Sequence, residues 1–424
     1  MKETRFKQTE IGLIPEDWEI RKLGSIFKFI PNNTISRDNL VNQGTVMNVH
    51  YGDILIKYGS ILDIKNNDIP FINDSIISNS KFNEFAKDGD ILIADTAEDE
   101  MVCKATELYN IENRKLVSGL HTMWIRPIIE FKPKYLGYFF NSTFYHNQIL
   151  PLIQGTKVCS VSKGAIKDTY VSIPLENEQN KIASALTSID NLLLSLDKLI
   201  EKKRLIKQGA MQELLTGKKR LPGFAGEWVE RRLGEISKIY RGGSPRPIEN
   251  YLTTMNDGIN WIKIGDVDKS AKYIYKTQER IKPSGVSSSR YVKSGDFLLS
   301  NSMSFGRPYI LKTSGCIHDG WLVIQDYQQY CDCDFLYYTL SSNYILQQYK
   351  AKAAGSSVLN LNKDIASNVI MKYPKDILEQ KAIAKVLSSI DKEIESLEGK
   401  KAKYEQIKQG MMQQLLTGKI RLIS

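Results

Sequence analysis

From Ile182 the chain places apolar residues at alternating four- and three-residue steps: Ile182, Leu186, Ile189, Leu193, Leu196 and Ile200. The rhythm returns at Ile383, Leu387, Ile390, Ile394 and Leu397, then passes into Lys401 and Tyr404. This is the a/d spacing of a helix with an apolar seam, about three heptads long before lysine interrupts it. Leu192, Leu199 and Leu205 widen the first stripe, as a helix touching more than one neighbour requires. A helix from Glu178 to Leu215 would extend about 57 Å at about 1.5 Å per residue. Two such seams in one chain are most simply buried against each other, and the long stretch between them leaves room for an antiparallel return. Each ends at "LLTGK", with Gly217 or Gly418 placed for a left-handed cap and a lysine beside the negative helix end. Gly209 and Gly410 sit inside the pattern, where glycine costs roughly 1 kcal/mol against alanine. Their recurrence predicts close approach by a neighbour, either the other helix or another subunit.

The helices are copies. "IKQGAMQELLTGKKRL" (206–221) and "IKQGMMQQLLTGKIRL" (407–422) lie 201 residues apart and differ at three positions. Upstream, "EQNKIASALTSID" from Glu178 aligns with "EQKAIAKVLSSID" from Glu379 at the same offset. Weaker echoes fall in the same order outside the helices: "WEIRKLGSI" and "WVERRLGEI", "KDGDILIA" and "KSGDFLLS", His121-x-x-Trp124 and His318-x-x-Trp321, "GTKVCSVSK" and "GSSVLNLNK". The chain therefore reads as a tandem duplication. Between the helices the apolar runs shorten and are broken by Gly, Asn, Asp and Pro, the pattern of short strands and tight turns. "GDILIADT" and "GDFLLSNS" predict a turn feeding a buried strand, while "PKYLGYFFNSTFYHNQIL" and "DFLYYTLSSNYILQQY" carry helical spacing. The expected fold is α+β: two β-rich globular domains separated by two long helices that form an antiparallel coiled coil, in a pseudo-twofold repeat. The boundaries are 1–175, helix 176–221, 222–376 and helix 377–424. Polar positions recur in the helix ends while the globular parts drift, which predicts one outside partner docking twice. The candidates for that contact are Lys207, Gln208, Gly209, Gln212, Lys408, Gln409, Gly410 and Gln413.

Composition narrows the class. A length of 424 residues, 42% hydrophobic and 25% charged, fits two to three globular domains. No apolar run approaches the roughly 18 residues a membrane helix needs. The opening "MKETRFKQTEIGLIPEDW" lacks a signal-peptide core, and an odd five cysteines argue against a disulfide framework, so the expected compartment is the cytoplasm. A net charge of +10 favours polyanions.

Taken in order, the doubled helix, the Trp-x4-Leu-Gly domain starts, "GGSPRP" (242–247) and "GSSVLNLNK" resemble the DNA-specificity subunits of Type I restriction–modification systems over essentially the full length. In the first domain "HYGDIL", "DTAEDE" and "GLHT" resemble one recurrent kind of recognition domain. The resemblance implies two target-recognition domains that each read half of a split double-stranded DNA target, held apart by the helix pair. It further implies docking of two adenine methyltransferase subunits, with restriction subunits joining them. S-adenosylmethionine, ATP and magnesium would belong to those partners, and this chain would be non-catalytic. The first domain departs from the pattern: "IPNNTISRDN" stands where "GGSPRP" is expected.

The residues agree with a binding role. The chain has neither an Asn/Asp-Pro-Pro-Tyr/Phe tetrapeptide nor a phosphate loop. Glu201-Lys202-Lys203 matches half a nuclease motif but lies on the long helix, where charges are expected. Cys331-x-Cys333 has no second pair, so no metal is expected, and His121 and His318 are expected as satisfied core groups. Arg241, Ser244, Arg246 and Arg307 sit in turn-rich segments from which a guanidinium can reach guanine O6/N7. Ser356, Ser357, Asn360, Asn362 and Lys363, with Thr156, Lys157, Ser160, Ser162 and Lys163, supply short polar groups for bases and phosphates. Two other readings stay open: a coiled-coil adaptor without a DNA role, and a stand-alone methyltransferase or nuclease.

Overall fold

The structure is a computed structural model that describes residues 4–77, 82–268, 271–301, 305–353 and 361–423. It divides into two compact units, Met1–Asp197 with Lys400–Ser424, and Lys198–Gly399. Two 39-residue helices, Glu176–Leu214 and Ile377–Leu415, are each shared between the units, so every unit contains the start of one long helix and the end of the other.

The first unit is built on a five-stranded sheet of β1 (Phe27–Ile30), β2 (Ile61–Asp63), β3 (Ile91–Ala94), β4 (Ala105–Tyr109) and β5 (Thr122–Pro127), in the order β1-β5-β3-β4-β2. All neighbours are antiparallel except β4 and β2. β3 reads as a continuous apolar run because both sheet faces are covered. Ile91 and Ile93 face a cluster with Trp18, Tyr138, Phe139, Ile182 and Leu186, whereas Leu92 and Ala94 face Ile54, Leu108 and Trp124.

The second unit repeats this sheet with β6 (Lys238–Arg241), β7 (Tyr273–Ile274), β8 (Phe297–Ser300), β9 (Pro308–Leu311) and β10 (Trp321–Gln325), order β6-β10-β8-β9-β7, and again only the last pair is parallel. The turns before β3 and β8 put Gly89 and Gly295 at φ of 85° and 97°, a conformation that favours glycine. The aspartate that follows accepts from the strand-entry backbone in both copies, Lys87 N to Asp90 and Lys293 N to Asp296, each 2.9 Å. The two long apolar segments expected as helices are each broken in the middle. Ser142 and Ser342 stop one short helix and cap the next, accepting from Tyr145 N at 3.1 Å and Ile345 N at 3.3 Å.

The long helices run antiparallel. Lys203–Glu393 (2.5 Å), Lys207–Asp391 (2.6 Å) and Arg204–Glu398 (2.7 Å) tie them in the second unit. Lys401–Asp197 and Lys408–Asp190, both 2.6 Å, do so in the first. Ile182, Leu186, Leu196 and Ile200 are buried along the first helix, and Ile383, Leu387 and Ile394 along the second. Lys401, which breaks the apolar seam, and Lys203 each find a carboxylate on the facing helix. The expectation of close approach at Gly209 and Gly410 is not met within the chain: a Cβ at either would have open space around it.

Candidate nucleic-acid interface

In the second unit the ends of β6, β8 and β10 converge on one loop. Gly242 N donates to Trp321 O at 2.9 Å, and a Cβ on Gly242 would lie 2.1 Å from His318 O, so the glycine of "GGSPRP" is required for this approach. The hub of the loop is Asp319. Its Oδ1 accepts from Ser244 Oγ at 3.2 Å and faces His318 Nε2 at 3.0 Å, and its Oδ2 accepts from Arg246 Nη2 at 3.2 Å. Its carbonyl accepts from Arg241 Nε and from Asn301 Nδ2, both 3.2 Å. Partial burial would raise the Asp319 carboxyl, but His318, Ser244 and Arg246 outweigh it and hold the group below the usual carboxylate range. Arg246, tied at one corner, keeps a side chain 80% exposed beside a cleft of about 730 Å³ that Trp261, Lys263 and His318 also line. Of the remaining candidates, Arg307 covers the ring of Tyr309 at 5.8 Å, Lys363 that of Tyr240 at 5.8 Å, and Asn362 caps Ile365 N at 2.8 Å. Ser356, Ser357 and Asn360 lie outside the described residues.

The first unit has the same backbone frame with different side chains. Asp95 N donates to His121 O and Val161 N donates to Asp95 O, each at 3.1 Å. In the second unit Asn301 N donates to Gly320 O at 3.1 Å and Leu361 N to Asn301 O at 2.8 Å. Asn33 N donates to Ser118 O at 2.8 Å as Gly243 N does to Ile317 O at 3.2 Å, and the first unit adds side-chain amides to this bond. Asn32 Nδ2 donates to Gly119 O at 3.1 Å, and Asn33 Nδ2 to Asn48 Oδ1 at 2.7 Å and Ser118 O at 2.9 Å. Around this frame stand Asp95, Thr96, His121 and Tyr51: Thr96 Oγ1 donates to Asp95 Oδ1 at 2.9 Å, and Tyr51 meets the His121 ring edge-on at 5.4 Å. Ser160 pairs with Thr96 between short strands, Ser162 caps Ala165 N, and Thr156, Lys157 and Lys163 are exposed.

The expectation that His121 and His318 are core groups is wrong. Their side chains are 48% and 43% exposed, because each lies in the loop before β5 or β10 rather than within the sheet. Asp319 was not singled out from the sequence, whereas Asp95 lies in "DTAEDE", Tyr51 in "HYGDIL" and Asn33 in the departing "IPNNTISRDN". Among the described residues no group of His, Cys, Asp and Glu could hold a metal ion. Within "DTAEDE", Asp99 accepts from Met101 N at 2.9 Å as an ordinary turn.

The helix-face candidates divide into two sets. Lys207 and Lys408 are used inside the chain, each between a carboxylate on the facing helix and a tyrosine ring, so their recurrence needs no outside partner. Gln208, Gly209, Gln212, Gln409, Gly410 and Gln413 are exposed, next to Ile206 and Ile407, which are 45% and 39% exposed. At the far ends, Arg421 donates to buried Glu178 through Nε (2.8 Å) and to Asp17 through Nη2 (2.7 Å), and Trp18 Nε1 donates to Glu178 at 2.9 Å. Arg220 repeats this on buried Glu379 at 2.6 and 2.7 Å, with Trp228 Nε1 at 3.3 Å.

The fold and its two mouths define a class of protein: paired α/β recognition units carried on antiparallel helices. The Type I restriction modification DNA specificity domain matches twice, over residues 15–207 and 225–406, and the chain belongs to that family. It is 29% identical to the putative type I restriction enzyme MjaX specificity subunit of Methanocaldococcus jannaschii, over 99% of this chain and 98% of that one. It is 25% identical to the MjaVIII specificity subunit of the same organism, over 99% and 97%. The fold is shared with a chain from a type I R-M system studied for complex assembly and conformational transition (TM-score 0.63, 17% identity, 96% and 99% covered). It is also shared with the S subunit from M. genitalium (TM-score 0.54, 16% identity, 94% and 96% covered).

Proposed function

We propose that this chain is the sequence-reading subunit of a Type I restriction–modification assembly. Each unit reads one half of a bipartite target in double-stranded DNA, and the helix pair sets the gap between the halves. The observation that carries this is the pair of mouths: one backbone frame, built twice, presenting Asp319, Ser244 and Arg246 in one copy and Asp95, Thr96 and His121 in the other. A shared frame with different polar groups is what two unlike half-sites require, since base edges are read by side-chain donors and acceptors. The exposed twin faces around Gly209 and Gly410, open and partly apolar, support docking of two methyltransferase subunits, with restriction subunits joining through the assembly. S-adenosylmethionine, ATP and magnesium belong to those partners, catalysis resides there, and the complex works in the cytoplasm. No helix among the described residues is long and apolar enough to cross a membrane. Binding of the isolated assembly to duplex DNA tests the reading. Log affinity is expected to fall linearly with log salt as phosphate counterions are released. Salt-insensitive association with proteins alone would favour the adaptor reading instead.

A further inference from the structure

One carboxylate in each unit joins three elements. Asp190, on the first long helix, accepts from Tyr138 Oη at 2.8 Å and pairs with Lys408 Nζ at 2.6 Å. Tyr138 belongs to the helix Tyr135–Phe140 of the globular core, and Lys408 comes from the end of the second long helix, 5.8 Å above the Tyr138 ring. The second unit repeats the arrangement. Tyr338 Oη donates to Asp391 at 2.8 Å, Lys207 pairs with Asp391 at 2.6 Å, and Lys207 stands 5.7 Å from the Tyr338 ring. Both phenols are raised above their ordinary pKa, first by burial and then by the adjacent carboxylate, so each stays a hydrogen-bond donor.

We propose that Tyr138, Asp190 and Lys408, with their twins Tyr338, Asp391 and Lys207, are positioning residues. They set the angle at which each recognition domain stands on the helix pair, and through it the number of base pairs between half-sites. The proposal rests on the two-reader reading above. Beyond the first turn of the helix, where Lys132 pairs with Glu176 and its N–H donates to Gln179, the domain–helix contact is largely apolar, with Leu186 and Ile182 against Tyr135 and Phe139, and apolar contact has no preferred direction. Direction comes from two groups of polar ties on one helix, one at its first turn around Glu178 and one at Asp190. Glu178 takes Arg421 and Trp18, and Asp190, twelve residues later and about 18 Å along the axis, takes Tyr138 and Lys408. With the ties of the first turn alone the domain can pivot about the helix start; with Asp190 held as well it cannot. A pivot matters because a tilt of about 10° moves a point about 20 Å out by roughly the 3.4 Å rise of one base pair.

The test selects duplexes from a randomised pool with the full chain, in the assembly in which it is isolated, and sequences what is bound. Tyr138→Phe with Tyr338→Phe keeps both rings packed and removes only the hydroxyls; Lys207→Gln with Lys408→Gln carries the same test through partly exposed side chains should the first pair fail to fold. The expected result is unchanged letters in both half-sites, with gaps one base pair longer or shorter enriched about tenfold over the wild type. A purely structural role lowers the melting temperature, or the affinity for every gap equally, and leaves the gap distribution alone. That outcome, or altered half-site letters, overturns the proposal. A wild-type chain that selects no two-part motif overturns the underlying reading itself.

Discussion

Asp319 shows how one side chain can organise the polar groups around it. It gathers Ser244, Arg246 and His318, so it determines where the exposed guanidinium points. Asp319→Ala should weaken binding by about 1–3 kcal/mol and relax selectivity at positions of a single half-site, read by competition with base-substituted duplexes. Glu107 makes a different point. It is buried on β4 and accepts from Lys134 N at 2.5 Å and Gly137 N at 2.8 Å, serving the start of the helix Tyr135–Phe140 from a neighbouring strand. Burial, opposed by those amides, pushes its carboxyl up to about 7. A folded-state pKa above the unfolded one stabilises fully below the unfolded value and loses that stabilisation as pH rises through the folded value. Melting of the first unit should therefore drop between pH 5 and pH 8 by on the order of 3 kcal/mol from this group, and Glu107→Gln should flatten that slope.

The long helices were legible because a seam of Ile182, Leu186, Leu196 and Ile200 has one period and one explanation. Their polar code was misread in part. Lys207 and Lys408 recur because each unit needs the same internal tie, and the "EQ" of Glu178-Gln179 and Glu379-Gln380 recurs for a similar reason. Gln179 accepts from Lys132 N at 3.0 Å and Gln380 from Asp332 N at 2.7 Å, stapling the globular loop to the helix start. None of this is visible in sequence, because the partners lie tens to hundreds of residues away. The mouths were harder still: Gly242 and Arg246 announced themselves, but the side-chain amides of Asn32 and Asn33, which reach Gly119 O and Ser118 O in the first unit, carry no such signature. Arg421 and Arg220, three residues past the capping glycine, leave the clearest prediction at this scale. Each neutralises a glutamate that is at most 1% exposed, so Arg421→Ala or Arg220→Ala should cost about 3–5 kcal/mol of stability in chemical denaturation of the unit concerned.

At the scale of the molecule, each unit borrows the end of the other repeat's helix, so neither is complete from a contiguous half of the chain. Two equivalent helix faces, around Gly209 and Gly410, are left open within the chain. Placing a charge there, as Gly209→Asp with Gly410→Asp, should abolish methyltransferase co-purification while leaving the melting temperature within a few degrees, because no neighbour within the chain is disturbed. The most direct measurement of the whole account is methylation mapping, at single-base resolution, of DNA from cells carrying this chain with its methyltransferase, beside cells carrying Arg246→Ala. The account predicts adenine methylation in two fixed half-sites across a constant gap, with the variant changing letters in one half only. A contiguous motif, a gap that varies from site to site, or both halves changing together would contradict it.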